Sequence, residues 1–440
     1  MFKKISGKLS IAAALLLCGI SVHAQNGAYS GFTPYSVFGI GDIAKGGTAY
    51  NNSMGGVGIA TRNNRFLNYL NPAAVTARDT LSFMADLGLT QNNYIYKQGN
   101  LKSGNNTFNI NNFIVSFPVY KKSAMMFGIA PYSNIGYKSS SNETDPSLIG
   151  RTGNISYSME GDGSLYQIFG GAGATLWRGL SVGAEVVYYF GSLNKTSSVY
   201  YENSATRSIS SGYTLTLNGT TAKLGMQYEY PLGPDNKITF GATYKFGTNI
   251  RGTVDDYEYA YTSSVSDTLR NNTDTLKNNP GQVKFANELG LGVSWNYQNK
   301  LLMEFNYLFS DWSGTGMDKV SGFSNIGQSA FSVTSSQSFR FGMEYVPNRS
   351  DIRYYYKRCS YRAGAYYNKD YYKLDGHQIN SYGLTFGMTL PVFRWYNGLT
   401  VGVDIGRRGR VYDNLVRERY VNFSVGFNIF DIWFQKPRYE

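Results

Sequence analysis

A chain of 440 residues with only 16% charged side chains, but 50 Gly and 38 Tyr, lacks the composition of a helical or ordinary soluble enzyme. Its formal charge of +12 is spread without a basic cluster, which argues against nucleic acid as a partner. Mean hydropathy is −0.31, a value compatible with a membrane barrel, in which only every second strand residue meets lipid.

The chain opens as a secretory leader. Lys3, Lys4 and Lys8 precede the apolar run Ile11 to Ile20, and Val22 and Ala24 are small residues at the −3 and −1 positions of a cleavage site before Gln25. The run is too short to span a bilayer, which takes about 20 residues. Residues 1–24 are therefore expected to be removed. Leu17 before Cys18 does not suit lipidation, and Cys359 then stands alone, so no internal disulfide is expected.

Residues 25–79 do not alternate. They are rich in Gly and Asn, among them Gly39, Gly41, Gly46, Gly47, Gly55, Gly56 and Gly58, and too apolar for a tether. A compact insert inside a barrel lumen is the expectation.

From Leu81 onward the pattern changes to period two. Leu180, Val182, Ala184, Val186, Tyr188 and Phe190 alternate with Ser181, Gly183 and Glu185. Leu289 to Trp295, Leu301 to Phe309, Tyr382 to Leu390 and Val421 to Ile429 behave alike. Trp177, Trp295, Trp395 and Trp433 lie at segment ends, as in an interfacial girdle. Short connections (118–123, 177–179, 231–237, 297–300, 346–352, 391–398) separate long polar ones (96–106, 139–154, 192–212, 250–282, 311–332, 368–378, 407–417). That asymmetry predicts an all-β transmembrane antiparallel β-barrel of about 14 strands over residues 80–440, with both ends on the side of the short turns. A bulge or kink is expected at Gly161-Asp162-Gly163.

Alternation also points Glu185, Glu229, Glu288, Glu304, Glu344 and Asp404 into the lumen, with Lys223, Lys245, Arg340 and Arg362. These charges either form a solvated, mutually paired wall or latch the N-terminal insert through Arg62 and Arg65. The chain retains His377 as its only histidine beyond the leader, which leaves no material for a His triad or a His metal cluster. No catalytic residue, metal or cofactor is expected.

The order Tyr35-Ser36-Val37-Phe38-Gly39-Ile40-Gly41, Gly47-Thr48-Ala49-Tyr50, Ser53-Met54-Gly55-Gly56-Val57-Gly58-Ile59-Ala60 and Asn71-Pro72-Ala73-Ala74 resembles the FadL-type family of long-chain fatty acid and hydrocarbon transporters. The resemblance is sharp over residues 35–85. It implies a fourteen-strand barrel with an N-terminal hatch bearing the motif Asn71, Pro72, Ala73. It further implies hatch-gated transport of a small hydrophobic ligand across a Gram-negative outer membrane, amid lipid and lipopolysaccharide, with sideways exit past a kinked strand. Two features depart from the family. The longest loop, from Asp255 to Asp274, is polar where a capture groove would be apolar, and residues 435–440 follow Trp433-Phe434 at the C-terminus. FadL-like barrels also serve secretion systems as shuttles or subunits, so the alternative expectation is a docking subunit with protein partners in an outer-membrane complex.

Overall fold

A computed structural model describes residues 31–79, 81–120, 122–203, 205–262, 265–276, 283–323, 330–393, 397–411 and 415–432. The leader lies outside the described residues, as do Trp395 and Trp433.

Fourteen antiparallel strands close on themselves. They are β1 (Ser82–Gln98), β2 (Leu101–Tyr120), β3 (Ser123–Asn142), β4 (Ile155–Trp177), β5 (Leu180–Tyr201), β6 (Ser208–Pro231) and β7 (Asn236–Lys245). The second half comprises β8 (Asn287–Tyr297), β9 (Leu301–Asp311), β10 (Ser335–Tyr345), β11 (Ser360–Leu374), β12 (His377–Phe393), β13 (Asn397–Arg408) and β14 (Arg417–Ile432). Each pairs with its chain neighbour, and β14 seals against β1 from Ser82↔Ile432 to Lys97↔Arg417. Closure removes the sheet edge, which lipid could not solvate.

Burial follows the period-two pattern. On β14, Val421, Phe423, Phe427 and Ile429 are exposed, while Gly426, Asn428 and Phe430 are buried. The same outward belt includes Leu289, Leu291, Val293, Tyr382, Leu384 and Phe386. An apolar surface around a closed barrel is a lipid face. Trp177 and Trp295 lie on it near strand ends, both exposed.

The polar stretches read as long loops are largely strand. The 96–106 region is a tight hairpin turning at Gly99 (φ 54°), 192–212 is extended except for the link between Tyr201 and Ser208, and 250–282 contains the hairpin Arg251–Tyr261/Ser266–Leu276. Beyond the membrane both faces of a ladder meet water, so backbone pairing persists where apolar alternation ends. β6 has 24 residues, well above the 9–11 or so needed to cross. Its upper half pairs with Arg251–Tyr261 and its lower half with β7. The 346–352 turn runs on to Cys359 and includes a short helix, Tyr355–Arg358.

No bulge interrupts Gly161-Asp162-Gly163, where β4 pairs continuously with β3 and with β5, although Gly163 takes a φ of 119°, outside the strand range. The register slip sits opposite, in β3, between Pro131 and Ser133. Proline has no N–H to offer the ladder, so the defect falls on it. A second slip, between Gly88 and Leu89, leaves Asn111 bulged on β2. β2 and β3 pair only from Tyr120↔Ser123 to Phe113↔Ile129. Above that point, among the described residues, no ladder joins them. The outer edge of β3 is instead taken by the N-terminal segment, Asp42↔Asn134 and Ile43↔Ser133.

If Val425 faces the bilayer midplane, Val425→Arg should cost about 2–4 kcal/mol, because lipid cannot solvate the charge. Ser424→Arg, on the lumen side, should be milder. Urea titrations in lipid vesicles give the two values, and equal costs would refute the assigned faces.

Candidate functional site

Residues 31–79 pack against the inward faces of the strands. Asn71 is fully buried and holds the tightest part of this segment. Its Oδ1 accepts from the Ala73 N–H (3.0 Å), capping the short helix Pro72–Ala77, for which Pro72 supplies a fixed φ at the first position. Its Nδ2 donates to Ile59 O (2.7 Å) and across to Met226 O of β6 (3.1 Å). One amide thus folds the segment on itself and ties it to the wall.

The wall makes room with glycine. A Cβ on Gly173, Gly183 or Gly225 would overlap Pro72 or Asn71, and one on Gly241 would overlap Ile59. The series continues with Gly292 against Ile59, Gly342 and Gly364 against Met54 and Gly55, Gly387 and Gly402 against Ser53, and Gly426 against Ala49. Every strand from β4 to β14 except β9 presents one. Register links Gly173↔Gly183↔Gly225, Gly241↔Gly292, Gly342↔Gly364 and Gly387↔Gly402. On β9 the contact is polar: Glu304 accepts from the Ala60 N–H (2.8 Å) and from the Thr61 hydroxyl. Residues 49–76 are therefore in van der Waals contact with most of the circumference.

Of the other inward carboxylates, Glu344 accepts from the Tyr50 hydroxyl (2.5 Å) and Asp404 from Lys45 Nζ (3.0 Å). Glu229 lies 3.9 Å from Arg62, whose guanidinium also donates to Ser181, Gln227 and Thr76. Glu288 pairs with Lys245 of the wall (3.3 Å). Glu185 is buried with Oε2 lacking a partner in the structure. Arg65 meets the wall through its carbonyl, which accepts from Asn428 Nδ2. Wall cations contribute as well: Lys223 donates to Tyr69 O (3.1 Å), Arg340 to Gly56 O (3.0 Å) and Arg362 to Ser53 Oγ (3.0 Å). Burial lowers the Lys45 ammonium from its ordinary pKa against the opposing pull of Asp404, and raises the Tyr69 phenol to about 12. Among the described residues no His, Cys, Asp and Glu group is placed to hold a metal.

A cluster missed in the sequence lies higher up. Arg408 reaches Asp42 (2.7 Å), Asp370 (2.7 Å) and Glu418 (3.8 Å), and Thr33 donates to Glu418. Lys195, fully buried, donates to Gly39 O (3.1 Å) and Gly322 O (2.8 Å). Asp370 and Arg408 fall in stretches that read as loop, so alternation gave them no inward direction. The glycines were visible as inward positions, but only one strand at a time.

Between these two levels lies a cavity of about 720 Å³, which reaches the parting of β2 and β3. Its lining mixes apolar surface with polar groups: Asn92, Asn109, Asn368, Asn422, Tyr94 and Tyr420 stand among the paired charges Lys45, Asp404, Asp42 and Arg408. Phe108, Ile110 and Ile129 form the rim at the parting and are exposed.

Because Gly225 touches Asn71 and Pro72, Gly225→Val should dislodge the motif while the ladders stand. Heat-modifiable migration is expected to persist, and conductance in planar bilayers to rise above that of the parent. Unchanged conductance would show that the contact does not seal the lumen.

Solved structures with this architecture include the Ralstonia pickettii toluene transporter TbuX (17% identity, TM-score 0.59, covering 87% of this chain and 98% of that one). A Pseudomonas aeruginosa FadL homologue is similar at 11% identity and TM-score 0.57, with 89% and 100% coverage. The Pseudomonas putida toluene transporter TodX is similar at 12% and 0.57, with 91% and 100%. At these identities the likeness is one of fold. No curated protein sequence matches the chain. The fold is that of FadL-type barrels; the BamG family model matches residues 1–440 throughout, and the chain belongs to the BamG family.

Proposed function

We propose that this protein is a structural and docking subunit of an outer-membrane complex for secretion or barrel assembly, built on a transporter-type barrel whose through-passage is closed. In this reading residues 25–79 are a plug, residues 80–440 the barrel domain, and the lipid face meets outer-membrane lipid and lipopolysaccharide. The observation that carries it is the seating of residues 49–76 on the inward glycines, which leaves the motif no clearance from the wall.

A second reading is hatch-gated transport of a small, fatty-acid-like hydrophobic molecule. The parting of β2 and β3 favours it, because it joins the cavity to an apolar rim on the lipid face. The plug would then shift by breaking the pairs of Arg62 with Glu229, Lys45 with Asp404 and Tyr50 with Glu344.

The two readings separate by experiment. Extraction of native membranes in mild detergent should bring down protein partners in fixed proportion with the intact chain. Proteoliposomes of the pure protein should take up a hydrophobic fluorescent probe no faster than protein-free vesicles. Uptake well above that background from a chain that isolates alone would replace the first reading with the second.

A further inference from the structure

We propose that the outward face of β13, β14, β1 and β2, at the end that carries the long connections, is a binding site for the head group of lipopolysaccharide, taking up at least two of its anionic groups. The inference rests on the lipopolysaccharide contact named above for the lipid face, and holds whether the chain docks or transports. It starts from register. Arg407 of β13 stands directly opposite Arg419 of β14, Arg417 of β14 opposite Lys97 of β1, and Lys97 opposite Lys102 of β2. All five side chains share the outward face, because Arg408, Glu418, Tyr420 and Tyr96, next to them in the chain, are buried on the inward one. Lys97, Lys102 and Arg419 are exposed, and Arg407 and Arg417 are half-buried.

Like charges directly opposite on one face destabilise a sheet, and here three such pairs adjoin. The protein does not offset them. The acids on these four strands are Asp86, Asp404 and Glu418, which are engaged inside the barrel, and Asp431, which lies at the short-turn end. Among the described residues none of the five cations forms an ion pair. Elsewhere the same end of the barrel matches its outer cations: Lys138 with Glu160 (3.1 Å), Arg270 with Asp256 (3.0 Å) and Arg207 with Asp267. Beside and below the five, on the same face, Ile95, Ile405 and Val421 are exposed. The cations thus stand at the border of the apolar belt, where a lipid head group sits over its acyl chains. Their position selects the lipid, since long connections face outward and lipopolysaccharide forms the outer leaflet. Their breadth selects a head with several charges. From β13 to β2 is three strand spacings, about 14 Å, which is wider than a single phosphate.

Native mass spectrometry of the full chain in an uncharged detergent, without divalent cations, tests this. The added probes are lipopolysaccharide trimmed to its lipid A and first acidic sugars, and phosphatidylglycerol, which carries one phosphate. The parent protein should retain the first about tenfold in preference to the second. The double variant Lys97→Gln/Arg419→Gln should bind it about thirtyfold more weakly, as expected for two cations at an anionic lipid surface, while keeping heat-modifiable migration. Should that variant fail to fold, Arg407→Gln/Lys102→Gln is expected to weaken binding in the same way. Removing two charges elsewhere, in Lys138→Gln/Arg270→Gln, should leave binding unchanged. Equal retention of phosphatidylglycerol, undiminished binding by the folded face variant, or an equal loss in the Lys138→Gln/Arg270→Gln control would each overturn the proposal. If Lys97→Gln/Arg419→Gln keeps its lipopolysaccharide but no longer brings down protein partners, this proposal falls and the docking reading stands.

Discussion

In a bilayer a backbone N–H or C=O without a partner has no water to turn to, and the remaining architecture follows from that shortage. Fourteen strands close because an open edge would be costly. The same requirement explains why ladders outlast the membrane: β4, β5 and β6 keep pairing well beyond the apolar belt, since a started ladder is the cheapest way to satisfy the next peptide. It also explains why the interruption at β2 and β3 comes with compensation. Where β2 leaves, the N-terminal segment supplies hydrogen bonds to β3, and the cavity behind is lined with amides.

Contact between segment and wall is made in two ways. At the level of Asn71 the wall meets the segment through inward glycines, where the fit is steric, with side chains such as Gln227, Lys223 and Glu304 hydrogen-bonding between them. Higher up the contacts are ionic and hydrogen-bonded, around Arg408, Lys45 and Lys195. The steric part resists any motion that keeps the barrel round. The ionic part can exchange partners, and Arg408, with three carboxylates nearby, has partners to exchange.

Much of this was legible in the residues. Alternation such as Val421 to Ile429 placed the lipid face and the inward carboxylates, and summed over the chain it gave the strand number. What it could not do was follow strands past the membrane, where Ser, Asn and Thr occupy both faces and period two disappears. Hence 96–106 and 192–212 read as loops, and Asp370 and Arg408 had no assigned direction. Gly161-Asp162-Gly163 drew attention as a breaker, yet both neighbours hold that stretch in register. Gly163 departs from strand geometry in φ alone, and the register slip falls at Pro131, which has no N–H to give. The inward glycines were each seen as spacing. Their alignment depends on pairing registers that no single strand contains.

The seam between β14 and β1 has one more consequence, for the order of events during folding. The last of the fourteen strands is the one that shuts the cylinder, and residues 49–76 lie inside it with no clearance at the glycines. Threading them in afterwards would require that seam to reopen. The N-terminal segment must therefore be in place while the sheet is still a curved, open wall. It is synthesised first and enclosed last, serving as the former around which the cylinder is rolled.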